Sequence, residues 1–246
     1  MEEKNTQGGF WETTKTVVYA VVIALFVRTF FAEPFSIPSG SMIPTLLVGD
    51  YLFVSKMSYG YSRHSLPLSL PLIKNRIFYT EPKRGDVIVF KMPSDNKTDY
   101  IKRLIGLPGD RIQVREGRLY INGNIVDRQS AGEYVMRDPR GKALRFEKYI
   151  ETLPEGVKHP VLEISDDAPF DNTVEFTVPE DHFFMMGDNR DNSLDSRSVK
   201  VGFVPKNNLV GRAKFLFFSN DGSAAWWQIW KWPMAVRWSR LFNGIE

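Results

Sequence analysis

The chain contains no cysteine in its 246 residues, so a disulfide framework, a thiol nucleophile and every cysteine-based zinc site are excluded, while the redox compartment stays open. Histidine is scarce. His64, His159 and His182 are the only three, none stands in a recognisable Ser-His-Asp pattern, and each is expected at the surface or in a loop. An excess of one charge is also missing: 32 basic residues are interleaved with 29 acidic ones for a net charge of +3, and no basic stripe for nucleic acid results. No internal repeat or low-complexity tract occurs. The 43% hydrophobic content is ample for a packed core and excludes general disorder.

Only one long apolar segment is present, and it is N-terminal. Residues 16–27 are uncharged and mostly β-branched or aromatic, and apolar character resumes after Arg28 through Thr29-Phe30-Phe31-Ala32. A bilayer span needs about 20 such residues, which this segment supplies when Arg28 extends to the interface. A cleavable leader competes with this reading, with Lys4 and Lys15 as its basic start and Ala32 as its end. Phe30 stands where processing requires a small residue, so an uncleaved anchor is expected. Lys4 and Lys15 favour a cytoplasmic N-terminus and Arg28 opposes it, so charge sets the orientation only weakly.

Beyond the anchor the chain reads as short strands broken by Gly, Pro and Asp. Residues 50–55, 86–91 and 100–105 are β-branched or aromatic runs, and 118–126 reads as a hairpin around Asn122-Gly123, the favoured short-turn dipeptide. Residues 127–178 are more polar and weakly periodic, as in an inserted subdomain or an elaborated loop.

Three segments carry chemical interest. Residues 34–46 place Ser39 and Ser41 around Gly40, between Pro38 and Pro44. The prolines restrict φ and Gly40 allows a tight turn or close approach, which can hold Ser41 exposed as a nucleophile. Ser, Gly and Pro are equally ordinary linker residues. In 100–105, alternation puts Tyr100, Lys102 and Leu104 on one face and Ile101, Arg103 and Ile105 on the other. A lysine desolvated between bulky neighbours loses basicity and becomes a usable general base, whereas a strand-edge lysine keeps its head in water; both readings apply to Lys102. Residues 183–197 run from an apolar strand into a dense polar loop. A calcium loop begun at Asp188 would put Arg190, Asn192, Ser193 and Val199 at its key positions, and one begun at Asp191 would put Ser196 for glycine and Gly202 for glutamate. No metal is expected, and the interdigitated Asp and Arg fit an internally paired turn.

Together these segments resemble the bacterial type I signal peptidases, or leader peptidases, membrane-bound serine endopeptidases with a Ser-Lys dyad. Four stretches carry the resemblance in the family's order: 34–50, 84–93, 99–110 with Tyr-Ile-Lys-Arg-Leu-Ile-Gly-Leu-Pro-Gly-Asp, and 183–197 with Gly-Asp-Asn-Arg-Asp-Asn-Ser-Leu-Asp-Ser-Arg. The resemblance implies Ser41 as nucleophile and Lys102 as general base, with the Ser39 hydroxyl and the Ser41 N–H as the oxyanion hole. It implies Ser193 as the group orienting Lys102, and Asp195 paired with Arg197 and Arg103 as structural support. Phe90, Tyr100, Met185 and Met186 would supply apolar surroundings, and no cofactor is implied.

The implied substrate is a secretory preprotein, held extended and cut after a small residue in an Ala-x-Ala pattern. Ile37, Met42, Leu46 and Tyr100 would line a first pocket and Phe35, Leu52, Val89 and Ile101 a second. The expected fold is mainly β: an antiparallel-sheet catalytic domain with an inserted smaller β-rich subdomain, preceded by one N-terminal transmembrane helix. The expected division is 1–32 cytoplasmic N-terminus and anchor, 33–110 and 181–220 catalytic core, 111–180 insert, and 221–246 tail. The implied location is the bacterial plasma (inner) membrane, single-pass, with the N-terminus cytoplasmic and the catalytic domain on the outer (periplasmic or extracellular) side. The implied partners are secretory preproteins and membrane lipid, and no nucleic acid.

Departures from the best-known members are the single apolar segment rather than two, and a short insert. The tail carries Trp226, Trp227, Trp230, Trp232 and Trp238 with Lys231, Arg237 and Arg240, a mixture that suits either the headgroup interface or core packing. Two other readings remain: a catalytically silent β-domain that binds exported chains, and a self-cleaving Ser-Lys regulator. The regulator would carry a DNA-binding module where this chain has an anchor.

Overall fold

The computed structural model describes residues 7–137, 143–225 and 227–245; Lys4 and Trp226, both used above, lie outside these residues. The apolar segment forms α1 (Gln7–Phe30), in which the 20 residues from Trp11 to Phe30 have a mean hydropathy of 1.4 and almost no contact with the rest of the protein. At 1.5 Å per residue such a stretch spans about 30 Å, the thickness of a bilayer core. Arg28 near its end pairs with Glu33, and the Tyr61 hydroxyl donates to the Phe30 carbonyl at 2.8 Å, tying the helix end to the β-domain.

After α1 come β1 (Ala32–Ser36), β2 (Asp50–Ser55), β3 (Val87–Lys91) and β4 (Asp99–Gly106). The chain then builds β5 (Arg111–Arg115), β6 (Arg118–Ile121), β7 (Asn124–Ile125), β8 (Asp127–Arg137), β9 (Ala143–Thr152), β10 (Lys158–Glu163) and β11 (Phe176–Thr177). It closes with β12 (His182–Met186), β13 (Val204–Pro205) and β14 (Leu209–Ser219). One antiparallel sheet has the order β1-β2-β14-β3-β4-β12-β13, and the strands between β4 and β12 form two others, β10-β9-β8 and β11-β5-β6-β7. Asn122 and Gly123 join β6 to β7 with φ of 54° and 81°, the two positive values that a tight hairpin turn needs.

Central β3 is buried on both sides, so Val87 and Val89 enter one core with Leu52 and Val54, while Ile88 and Phe90 enter another with Leu104, Phe183 and Met185. Burying each such side chain contributes roughly 1.5–3 kcal/mol. Two gaps in the pairing matter for function. β1 pairs only with β2, and β12 pairs with β4 only from Arg103 onward, so β1 and residues 99–102 of β4 each keep an open edge.

The stretch 127–178 is largely regular, with β8, β9 and β10 forming a meander. Its weak periodicity has a physical cause: most of β9 is exposed or half-buried, so few positions demand an apolar residue. In the tail the described tryptophans do not enter the core. Trp227, Trp230 and Trp238 are 59%, 67% and 62% exposed, and the segment is held instead by the buried Ala235, Val236 and Ile245 and by Arg240 on the buried Asp50 carboxylate at 2.6 Å.

Candidate active site

Ser41 sits in the loop that connects β1 to β2. The loop is clamped at its ends, with Ile37 N–H donating to the Asp50 carbonyl (2.8 Å) and Gly49 N–H to the Ile37 carbonyl (3.0 Å). Its apolar residues Met42, Ile43 and Leu46 are buried, which fixes the serine between them and the groove. From the other side Asn189 N–H donates to the Ser41 carbonyl and Asn189 Nδ2 to the Gly40 carbonyl, both at 3.1 Å. The steric requirement for glycine falls at Gly187 rather than Gly40. A Cβ on Gly187 would lie 2.5 Å from the Ser41 carbonyl oxygen, whereas one on Gly40 would meet only the end of the Ile43 side chain.

Lys102 Nζ donates to Ser41 Oγ at 2.5 Å and to the Ile101 carbonyl at 3.0 Å, and the residue is 3% exposed. Burial is the largest influence on it and lowers its pKa from 10.5 to about 8. The Asp195 and Asp188 carboxylates partly oppose that shift, and the Arg197 guanidinium adds to it. The Ser41 amide donates to no group among the described residues, and the exposed Ser39 stands on the groove wall. The arrangement can deprotonate a hydroxyl near neutral pH and leaves a backbone donor free beside it.

Ser193 lines the same groove, but Lys102 does not receive a hydrogen bond from it or give one to it. Its hydroxyl is buried without a hydrogen-bond partner; it lies near enough to Asp195 to help hold that carboxyl below its usual range, after the larger opposing effect of burial and the larger lowering by Arg197. The expected orienting contact is therefore absent in this state.

The groove has a volume near 610 Å³ and runs between the open edges of β1 and β4. Of the expected lining, Phe35, Ile37, Val89, Tyr100 and Ile101 face it. Met42, Leu46 and Leu52 do not: each is fully buried in the core behind the wall, a correction to the pocket assignments. The groove also takes Asp99, Phe170, Asp191, Asn192 and Leu194, which the sequence reading did not place there. Asp191 and Leu194 lay in a segment already singled out, while Phe170 gave no sequence signal.

The ion pairs behind the groove divide differently from expectation. Asp195 is bonded by Arg197 Nε and Nη2, both at 2.9 Å, and accepts Gly187 N–H at 3.0 Å. Arg103 pairs instead with Asp188, by Nε at 2.9 Å and Nη2 at 2.8 Å, because Met186 is its partner across β4 and β12 and Asp188 follows closely. Burial works against ionised Asp188, yet the Arg103 guanidinium keeps its carboxyl far below the usual range. Two of the three histidines are buried, contrary to their expected surface placement. His159 lies between the Glu151 and Asp188 carboxylates at 3.6 and 3.5 Å, and His64 is pushed down to about 4 by burial and then by the Arg63 cation. No histidine lines the groove. Among the described residues no cluster of histidine and carboxylate groups could hold a metal ion.

A serine hydroxyl held on a buried amine, beside a groove between two open strand edges, is the kind of arrangement that a serine endopeptidase uses. The family model described as signal peptidase, peptidase S26, matches residues 10–218. Signal peptidase I of Rickettsia typhi is 40% identical over 260 aligned positions, covering 95% of this chain and 96% of its own. That of Rickettsia canadensis is 40% identical over 98% of this chain and 96% of its own. A crystal structure of a signal peptidase I from Enterococcus faecalis aligns at 28% identity with 54% of this chain and 97% of that one, TM-score 0.31. The chain belongs to the signal peptidase S26 family, whose activity is the removal of signal peptides.

Proposed function

We propose that the chain removes signal peptides with Ser41 as nucleophile and Lys102 as the base that activates it. The observation carrying this reading is the 2.5 Å contact between Ser41 Oγ and the buried, weakened amine of Lys102. Neutral Nζ takes the hydroxyl proton as Oγ attacks the scissile carbonyl, and the developing oxyanion meets the Ser41 N–H and the Ser39 hydroxyl. The Lys102 ammonium returns its proton to the leaving amine, and the neutral amine then activates water to release the acyl group from Ser41.

The preprotein would lie extended between the open edges of β1 and β4, adding backbone hydrogen bonds to both. Side chains one and three before the cut face the same way in such a strand, so the wall made by Phe35, Ile37, Val89, Tyr100 and Ile101 tests both for small size, as an Ala-x-Ala site requires. In this reading residues 33–110 and 181–220 form the catalytic core, 111–180 an insert and 221–246 a tail. The helix α1 anchors the chain, and the exposed Trp227, Trp230, Trp232 and Trp238 sit among lipid headgroups.

The base sets the pH dependence. Only neutral Lys102 accepts the Ser41 proton, so kcat/KM on a preprotein should rise with pH through a group near 8 and level off above it. A profile controlled by a group near the usual histidine value of about 6.5 would count against Lys102.

The proposal also fixes sidedness. With α1 crossing the membrane and the N-terminus cytoplasmic, residues beyond about 33 lie on the outer face, where the cleavage site of an inserted signal peptide emerges. In sealed, right-side-out vesicles an added protease should degrade the β-domain. A domain protected there, and cut only in inverted vesicles, would overturn the orientation.

A further inference from the structure

A second cavity, near 460 Å³, adjoins the catalytic groove and shares Phe35 and Asp99 with it. It lies toward the membrane end of the domain. From Lys102 back to Asp99, β4 leads away from Ser41, and from Ser36 back to Ala32, β1 leads to the end of α1. Leu25, Arg28 and Thr29 of α1 line the cavity's far wall. A peptide extended along these two edges advances about 3.3 Å per residue, so its third residue before the cut reaches the Phe35 and Asp99 junction roughly 10 Å from the dyad. Continued in the same direction, the next residues reach this cavity before they meet Leu25, Arg28 and Thr29 of α1.

The cavity's charge is not balanced. Arg28, Lys56 and Lys91 face Glu33 and Asp99, three cations against two carboxylates. Lys56 Nζ is spent on Glu33 at 2.9 Å and on the Ser65 carbonyl at 2.9 Å, and Arg28 shares the same Glu33 carboxylate. Lys91 pairs with Asp99 at 2.8 Å at the entrance from the groove. His64, the remaining titratable side chain on the wall, is neutral near pH 7.

We propose that this cavity is a substrate subsite for the residues about four to six before the cut, counted at the strand rise, and that its surplus positive charge selects against lysine and arginine there. The inference rests on the signal-peptide reading and deepens it: the subsite sets the spacing between the cut and the apolar core of the signal peptide, which continues beside Leu25.

The test uses the full chain in non-ionic detergent at low salt, with one preprotein carrying Glu, Gln or Lys five residues before the cut. Wild type should process the Glu form about tenfold faster in kcat/KM than the Lys form, with Gln between, and added salt should narrow the ratio. Lys91→Glu should abolish or invert the preference, and the milder Lys91→Gln should reduce it even where the charge reversal disturbs folding. The same substitutions two residues after the cut should have no such effect. Equal rates for the Glu and Lys forms, with cleavage otherwise normal, overturn the subsite while leaving the peptidase reading intact. A failure to cleave any preprotein overturns both. A flat ratio accompanied by a changed dependence on anionic vesicles in Lys91→Glu would make the cavity a lipid headgroup site, and the peptide subsite would fall.

Discussion

Ser41→Ala and Lys102→Met should each lower kcat/KM for preprotein cleavage by on the order of 10⁴-fold or more, because each removes one half of a pair that acts only together. The double variant should be no worse than either single one. Folding should survive both changes. Ser41→Ala removes one hydroxyl whose hydrogen-bond partner among the described residues is Lys102, and the loop stays held by Met42, Leu46 and the Asn189 contacts. Lys102→Met is expected to stabilise the fold. The folded pKa lies near 8 against 10.5 for the free side chain, so burial of this amine opposes folding by on the order of 3 kcal/mol below pH 8, and the penalty fades as pH rises through 10.5. Thermal melts at pH 7 check the stability, and processing of a preprotein checks the activity. Either single variant retaining activity within a hundredfold of wild type would sink the dyad.

The segments that carry these groups were legible as local patterns, but their pairing across 61 residues was implied only by the family resemblance. Ser39, Gly40 and Ser41 share one proline-bounded turn that suits a linker equally, and Lys102 lies in a strand whose pattern fits a buried amine and an exposed edge alike. What the sequence could not say is which side of a wall an apolar residue occupies. Phe35 and Ile37 face the groove while Met42, Leu46 and Leu52 pack behind it, and all five are the same kind of residue. Phe170 reaches the groove from a loop far away in sequence, so only the tertiary structure brings it in. The exposed strand β9 shows the complementary failure, since residues such as Arg145, Glu147 and Lys148 suit solvent whether the backbone is strand or loop. Among the Asp and Arg residues of 183–197 many pairings were chemically equivalent. The strand register selected among them by setting Arg103 opposite Met186, within reach of Asp188.

That selected pair should be the costliest structural contact to break. Arg103 is fully buried, and besides Asp188 it donates Nη1 to the Gly85 carbonyl at 2.8 Å, while Thr45 Oγ1 donates to Asp188 Oδ2 at 2.5 Å. Arg103→Met leaves the Asp188 carboxylate in the core without its main counter-charge, a loss of about 3–5 kcal/mol. For a chain of this size that corresponds to a fall in Tm of roughly 10 °C. The pH dependence separates this cause from simple misfit of the new side chain. In wild type Asp188 has a depressed pKa, so the stability it contributes is present above the ordinary carboxylate value and is lost only as pH falls through the folded-state value. In the variant the unpaired carboxyl takes up a proton more readily, so the gap in Tm between variant and wild type should narrow as pH falls below about 4. Asp188→Leu combined with Arg103→Met should recover part of the loss at pH 7, because replacing both charges avoids burying one alone. Melts of the full chain in detergent at pH 7 and at acid pH provide the measurement. An unchanged Tm at pH 7, or a gap that persists undiminished in acid, would show that the pair does not carry the electrostatic load assigned to it.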